Sequence, residues 1–295
     1  MKIVLISGLS GSGKSVALRS LEDRGYYCVD NLPTSMLEQL VAFLETEQYE
    51  FLAVAIDARS SSIAALPEKS AALRRAGHQL VFLFLEAQDY VLIQRFSETR
   101  RRHPLADGPR TLQEAIREER HLLSPLAEFG QRLDTSGLPS ATLREWVLQS
   151  ACAGTIGGLT LLIESFGFKY GLPRDADLVF DARCLPNPYY EPALSAFSGL
   201  DAPVAAFLEG KPAVKKMRED IRRFIADWLP DWRIEGRSYL TVAIGCTGGQ
   251  HRSVYLADWL GKAFSGEATR VLVRHRTLAM RQGMEPPAVP QPIKT

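Results

Sequence analysis

Eight residues near the start of the chain, Gly8-Leu9-Ser10-Gly11-Ser12-Gly13-Lys14-Ser15, have the form G-x-x-x-x-G-K-[ST]. Glycines so placed let the chain turn tightly and aim several backbone N–H groups at one point, to which the following helix adds the positive end of its dipole. Phosphate oxygens suit such a cradle. Lys14 then acts as a compact charge for β- and γ-phosphates, and the Ser15 hydroxyl as a ligand of the Mg²⁺ that travels with a nucleotide. A glycine-rich turn beside a surface lysine uses the same residues without a ligand; the order strand, motif, helix favours the nucleotide.

A second small-residue loop follows the apolar run 239–244: Gly245-Cys246-Thr247-Gly248-Gly249-Gln250-His251-Arg252-Ser253, with a helix expected to begin at His251. It reads as a second anion cradle. The spacing Cys246-x5-Arg252-Ser253 is that of cysteine-dependent phosphatases, in which loop amides and arginine hold a phosphate and lower the thiol pKa. Binding of a phosphate ester without turnover fits the same residues, because a thiolate nucleophile also needs a general acid that the sequence does not reveal. A plain strand-to-helix turn is the third reading.

Two carboxylates compete for the Mg²⁺ shell. Asp57 follows Ala53-Val54-Ala55-Ile56 in the manner of a Walker B element, and Asp30 follows the run 26–29. Either also fits an aspartate that ends a strand and caps the next turn. Arg95, Arg100, Arg101 and Arg102 lie on a helical stretch at 91–104, which reads either as an arginine-bearing lid over phosphates or as solvated arginines at a helix C-terminus. Near the far end, Arg270, Arg274, His275, Arg276 and Arg281 surround a strand-like 271–273, a local basic cluster of the kind that contacts a nucleic-acid backbone. Lys211, Lys215, Lys216, Arg218, Arg222 and Arg223, carried by the helical stretch 212–228, read first as a solvated face and second as a nucleic-acid patch.

These residues must be positioned by a scaffold, and its outline is legible. Short apolar runs at 26–29, 51–56 and 80–85, with a last one at 132–133, alternate with helical stretches, the pattern of a doubly wound parallel sheet. In such sheets ligands bind beyond the carboxyl ends of the strands, where Gly8 to Ser15, Asp30 and Asp57 all fall. The stretch 111–129 is an amphipathic helix whose Leu112, Ile116, Leu122 and Leu126 are read as core. Small, glycine-rich residues at 152–158 mark a boundary, after which strands restart at 159–164, 178–180 and 239–244. The expected division is 1–153, 154–283 and a proline-rich, disordered tail at 284–295.

With 295 residues, 46% of them hydrophobic, the chain can bury two cores. Thirty-five Lys and Arg against 34 Asp and Glu leave a net charge of +1, so any basic surface is local. Four widely spaced cysteines without a C-x-x-C pair read as reduced thiols, and a cytoplasmic protein is expected. The first apolar run is four residues long and is not a signal peptide, and no run approaches the roughly 20 apolar residues of a membrane span, so no membrane is expected as a partner.

Beyond these motifs, the blocks MKIVLISGLSGSGKSVALRSLEDRGYYCVDNLP, Asp57-Ala58-Arg59-Ser60, SETRRRHPL, ESFGFKYGLP, VFDAR with LPNP, GLDAPVAAFL, SYLTVAIGCTGGQHRSVYLA and RHRTL, in this order over nearly the whole chain, resemble the RapZ/YvcJ family of bacterial nucleotide-binding proteins. The resemblance implies an α/β fold with an N-terminal P-loop kinase-like domain and a C-terminal α/β domain like the sugar-phosphate-binding part of phosphofructokinase. It implies ATP at Gly8 to Ser15, GTP at Asp57-Ala58-Arg59-Ser60, Mg²⁺ with them, and glucosamine-6-phosphate at Cys246 to Ser253. In the family's RNase-adapter members the C-terminal domain binds a small regulatory RNA and presents it to an endoribonuclease, lowering amino-sugar synthesis when the sugar phosphate is abundant. Those members carry a lysine and arginine cluster after RHRTL, where this chain reads Ala279-Met280-Arg281-Gln282-Gly283.

The expected protein is therefore a homo-oligomeric, nucleotide-binding regulator with at most weak ATPase or GTPase activity. A small-molecule P-loop kinase, a Cys246-dependent phosphatase and a nucleotide-gated scaffold that binds no RNA are its rivals.

Overall fold

The computed structural model describes residues 1–60, 63–106, 110–153, 159–234, 239–265 and 270–282. Five strands, β1 (Lys2–Gly8), β2 (Tyr27–Val29), β3 (Phe51–Ala55), β4 (Gln79–Glu86) and β5 (Gln131–Asp134), pair in parallel in the order β2-β3-β1-β4-β5. The continuous apolar runs of β1, β3 and β4 are buried on both faces, as a parallel sheet between helices requires. On one face lie α1 (Lys14–Glu22) and α6 (Ser140–Ala153), contributing Leu18, Leu21, Leu143 and Val147. On the other lie α2 (Leu37–Thr46), α3 (Leu66–Arg75), α4 (Asp89–Thr99) and α5 (Leu112–Phe129), contributing Leu44, Leu73, Leu92, Ile116 and Leu126. The first half is the doubly wound parallel sheet that the alternation predicts.

A second parallel sheet follows. Strands β6 (Thr160–Gly167), β7 (Leu178–Asp181), β8 (Tyr239–Cys246) and β9 (Arg270–His275) take the order β7-β8-β6-β9. Helices α7 (Ala202–Glu209), α8 (Pro212–Ile234) and α9 (Arg252–Phe264) cover one face through Leu208, Ile221, Ile225, Leu256 and Phe264. The short helix α10 (Arg276–Gln282) follows β9 directly. Among the described residues no helix is long and apolar enough to cross a membrane. The boundary residues 154–158 and the tail 284–295 lie outside the described residues.

Several expectations need correction. Helix α4 stops at Thr99, where Arg100 turns to φ 50°, so Arg100, Arg101 and Arg102 lie in the segment after it. Helix α5 is opened by a capping box: Thr111 Oγ1 accepts from Glu114 N and the Glu114 carboxylate accepts from Thr111 N. Leu122 on that helix is 42% exposed and is not core, since the packed stripe runs through Ile116, Leu123 and Leu126. The strand expected to end at 164 continues to Gly167, and α8 runs on past Pro230 to Ile234.

Candidate functional site

The P-loop is built by strand-to-helix geometry. Gly8 has φ 140°, and a Cβ there would come within 2.0 Å of Leu85 O in the neighbouring strand, so only glycine lets the loop leave β1 beside β4. Gly13 adopts φ 106° and α1 starts at the next residue, which places Lys14 and Ser15 on the helix's first turn. The Lys14 ammonium donates to the carbonyls of Gly8 at 2.6 Å and Leu9 at 3.1 Å, lying across the loop it will share with a phosphate. Burial pulls the Lys14 pKa below its ordinary value, against the raising effect of Glu119, Asp57 and Asp30.

Neighbouring elements brace the loop. Arg95 of α4 donates to Gly11 O at 2.9 Å and, from its other terminal nitrogen, to Thr135 O at 2.8 Å. The Thr135 hydroxyl, just past β5, is shared between Ser12 O at 2.9 Å and Glu86 O at 3.1 Å. Arg95 is therefore a brace, and its pKa is lowered by burial.

The loop opens into a cavity of about 670 Å³. Its walls bring together Lys14, Ser15, Asp30, Asn31, Asp57 and Arg59 with Arg101, Arg102, Pro104, Leu138 and Leu143. The structure thus gathers both rival carboxylates, the P-loop and two of the three arginines after α4 around one space. Asp57 is held in place: Arg59 donates from its backbone N to Oδ1 at 3.0 Å and from Nε and Nη2 to Oδ2 at 2.8 and 2.6 Å. The Asn31 amide, oriented by its neighbours, donates to both oxygens of Asp57. Ala58 is half-buried, and Ser60 turns away from the cavity to bond Thr34 N and its hydroxyl, both at 2.8 Å. Asp30 stands exposed at the end of β2. Ser15 on the helix's first turn and two carboxylates on the facing strand ends are a donor set that fits Mg²⁺ beside a triphosphate.

The second loop is more heavily constrained than its sequence suggests. Cys246 is 3% exposed, and its sulfur accepts from Gly249 N at 3.2 Å and lies 3.1 Å from Ser253 Oγ. Burial would raise this thiol, but the bonds from Ser253 and Gly249 and the charge of Arg252 outweigh it and lower the pKa. Arg252, 5% exposed, donates to the carbonyls of Arg183 at 2.9 Å and Leu185 at 3.0 Å, and reaches Thr247 Oγ1 at 3.4 Å. Gln250 Nε2 donates to Phe197 O at 2.8 Å, its Oε1 accepts from Arg281, and His251 is buried. Thr247 is the exposed residue of the loop, with Gly248 and Gln250 half-buried. Lys169, whose N–H bonds Thr247 O, and Arg183, whose guanidinium lies 4.0 Å over the Phe168 ring, stand beside the loop and were not singled out from the sequence.

The basic cluster near the end does not form a surface. Arg274 is 2% exposed, lies 4.5 Å over the Trp146 ring and donates to Trp146 O and Ser150 Oγ at 3.1 and 2.9 Å, its pKa pulled down to about 10 by burial. Arg276, 5% exposed, pairs with Asp134 at 2.9 Å. Both knit the second sheet to the first, so the expectation that they touch a nucleic-acid backbone is corrected: a contact with solvated phosphate needs a guanidinium at the surface. His275 bonds Ser165 Oγ, leaving Arg270, exposed, and Arg281, half-buried, from that set.

The comparisons with known proteins follow the same two-part division. Residues 1–154 match the RapZ-like N-terminal domain and residues 159–279 match the RapZ C-terminal domain. A nucleotide-binding protein of Azoarcus sp. (strain BH72) is 60% identical over 290 residues, 98% of this chain and 99% of that one. Another from Dechloromonas aromatica (strain RCB) is 60% identical over 280 residues, covering 95% and 99%. Among solved structures, shikimate kinase from Acinetobacter baumannii matches 53% of this chain and 96% of its own, at 16% identity and a TM-score of 0.37. With both halves matched in order, and full-length relatives at this identity, the chain belongs to the RapZ family of nucleotide-binding proteins.

Proposed function

We propose that the chain binds a nucleoside triphosphate, ATP or GTP, at its P-loop and a phosphorylated amino sugar, glucosamine-6-phosphate, at its second loop, and works as an RNA-binding RNase adapter with weak NTPase activity. The observation that carries the nucleotide half is Lys14, braced across Gly8 and Leu9 at the mouth of a cavity that Ser15, Asp30 and Asp57 share. Ser15 with Asp57, or with Asp30, would hold Mg²⁺, which neutralises charge on the β- and γ-phosphate oxygens. Asp57 to Ser60 would bear on guanine-nucleotide use.

For the second loop, the reading as a binding site is favoured over the phosphatase by the burial of Cys246 and the engagement of Arg252 with two carbonyls. A nucleophile must be reached by its substrate. RNA contact is proposed at Arg270 and Arg281 with the exposed Lys215 and Lys216 of α8, and an endoribonuclease is the proposed recipient.

Calorimetry with ATP and GTP, with and without Mg²⁺, tests the first half. RNA capture with and without glucosamine-6-phosphate tests the second: retained RNA should change in amount when the sugar phosphate is added. Retention of no RNA at low salt would remove the adapter reading and leave nucleotide binding standing. One rival keeps an observation of its own, since the cavity continues past Lys14 to Asp30, Asn31 and Arg59, where a small acceptor could sit. Turnover well above the basal NTPase rate with a panel of hydroxylated acceptors would support a kinase instead.

A further inference from the structure

We propose that Glu119 and His103 are positioning residues of the nucleotide site: they latch the arginine-bearing segment 100–106, the roof of the cavity, onto the third residue of the P-loop. The proposal rests on the P-loop being the triphosphate site.

One buried carboxylate joins three segments that are far apart in the chain. Glu119 of α5 is 1% exposed; its Oε2 accepts from Ser10 N at 2.8 Å and its Oε1 from Ser10 Oγ at 2.7 Å. His103 Nε2 lies 3.1 Å from the same Oε2. The tautomer follows from the other ring nitrogen, because His103 Nδ1 accepts from Leu105 N at 3.1 Å and so carries no proton. Nε2 is then the donor, and a neutral imidazole completes the latch.

Its location makes it more than a core contact. Arg101, Arg102 and Pro104 line the cavity, whereas the ring of His103 between them points inward and packs 5.1 Å from the ring of Phe96. The roof is thus rooted on the loop it covers. Burial alone would raise the Glu119 carboxyl, but the bond from His103, the charge of Lys14 and the bonds from Ser10 together hold it below the usual carboxylate range. An ionised Glu119 in turn opposes the loss of charge that burial imposes on Lys14. The latch therefore has two separable parts, a set of hydrogen bonds that holds the roof and a negative charge that faces Lys14.

Substitutions divide the two. In Glu119→Gln the amide oxygen can take the Oε2 place, accepting from Ser10 N and His103, while the amide nitrogen donates to Ser10 Oγ, so the bonds persist and only the charge is removed. It should bind ATP within a few-fold of wild type, because the bonds that hold the roof persist, and relief of repulsion on the phosphates is offset by weaker support of the Lys14 charge. Glu119→Ala and His103→Ala cut the bonds and should weaken ATP binding by about tenfold, with faster amide hydrogen exchange confined to segment 100–106. His103→Gln, whose amide nitrogen reaches toward the Nε2 position, should recover part of both losses. If the alanine variants do not fold, His103→Gln and Ser10→Ala provide the comparison, the latter losing one bond and binding more weakly. A wild-type protein that binds no ATP would reject the P-loop reading itself. Wild-type binding with equal affinity and unchanged exchange in His103→Ala, or in Ser10→Ala where that variant stands in, would overturn the latch. So would a loss in Glu119→Gln as large as that in Glu119→Ala.

Discussion

Arg276, the first residue of α10, donates to Asp134 O at 3.0 Å from Nη1 and to Ser136 O at 2.9 Å from Nη2, gripping the main chain on both sides of Thr135. The Thr135 hydroxyl reaches Ser12 O in the P-loop. The next residue of the helix, Thr277, packs on the second loop so closely that a Cβ on Gly249 would come within 2.2 Å of its hydroxyl. Consecutive residues of one short helix thus brace the P-loop and the second loop.

Arg276→Ala should be strongly destabilising, by about 3 to 5 kcal/mol, because it leaves the fully buried Asp134 without its counter-ion. Urea unfolding measures this, and Arg276→Lys should recover only part, since one ammonium cannot reach two carbonyls and a carboxylate in the same geometry. A loss below about 1 kcal/mol, the range of an exposed pair, would contradict the buried placement.

Glu164 supplies the pH test. Burial, helped by repulsion from Asp175, pushes its carboxyl from 4.5 up to about 8. The folded protein therefore keeps a proton that the unfolded chain releases. The stabilising contribution is complete below about pH 4.5 and is lost as pH rises toward 8. Glu164→Gln, which is neutral throughout, should flatten the fall in melting temperature between pH 5 and 8. Parallel slopes for mutant and wild type would show that another group governs this range.

Lys14→Ala removes one charged donor from a cradle whose other donors are backbone, so the fold should survive by circular dichroism. Charge-assisted bonds contribute roughly 1.5 to 3 kcal/mol, so ATP affinity should drop by about ten- to a hundredfold. Equal affinity in calorimetry would sink the P-loop assignment.

Cys246, 3% exposed, should resist iodoacetamide in the native protein, while the exposed Cys184 reacts. Glucosamine-6-phosphate should release no free phosphate, and Cys246→Ser should change its binding little. Phosphate release that disappears in Cys246→Ser would establish the enzyme reading over the sensor. Arg252→Ala should weaken sugar-phosphate binding by about tenfold or more, both by losing a donor and by freeing the 181–185 turn.

What the amino-acid sequence by itself determined was local. The G-x-x-x-x-G-K-[ST] spacing, the apolar runs of the buried strands and the aspartates at strand ends were all legible, because turn geometry and two-sided burial act over a few residues. So was the second loop after β8. The roles of the arginines were not legible. Arg274 and Arg276 read as surface charge, yet β9 turns one face toward α6 and the end of β5, and the sequence does not say that the first half of the chain will cover that face. Arg252 read as a phosphate ligand, and only the return of the 181–185 turn gives its guanidinium two carbonyls to hold. The latch of Ser10, His103 and Glu119 left no motif, since three residues separated by up to 109 positions meet only once α5 and the segment after α4 have packed against the P-loop. Burial and pairing are properties of what lies opposite a side chain, and that is decided by tertiary structure.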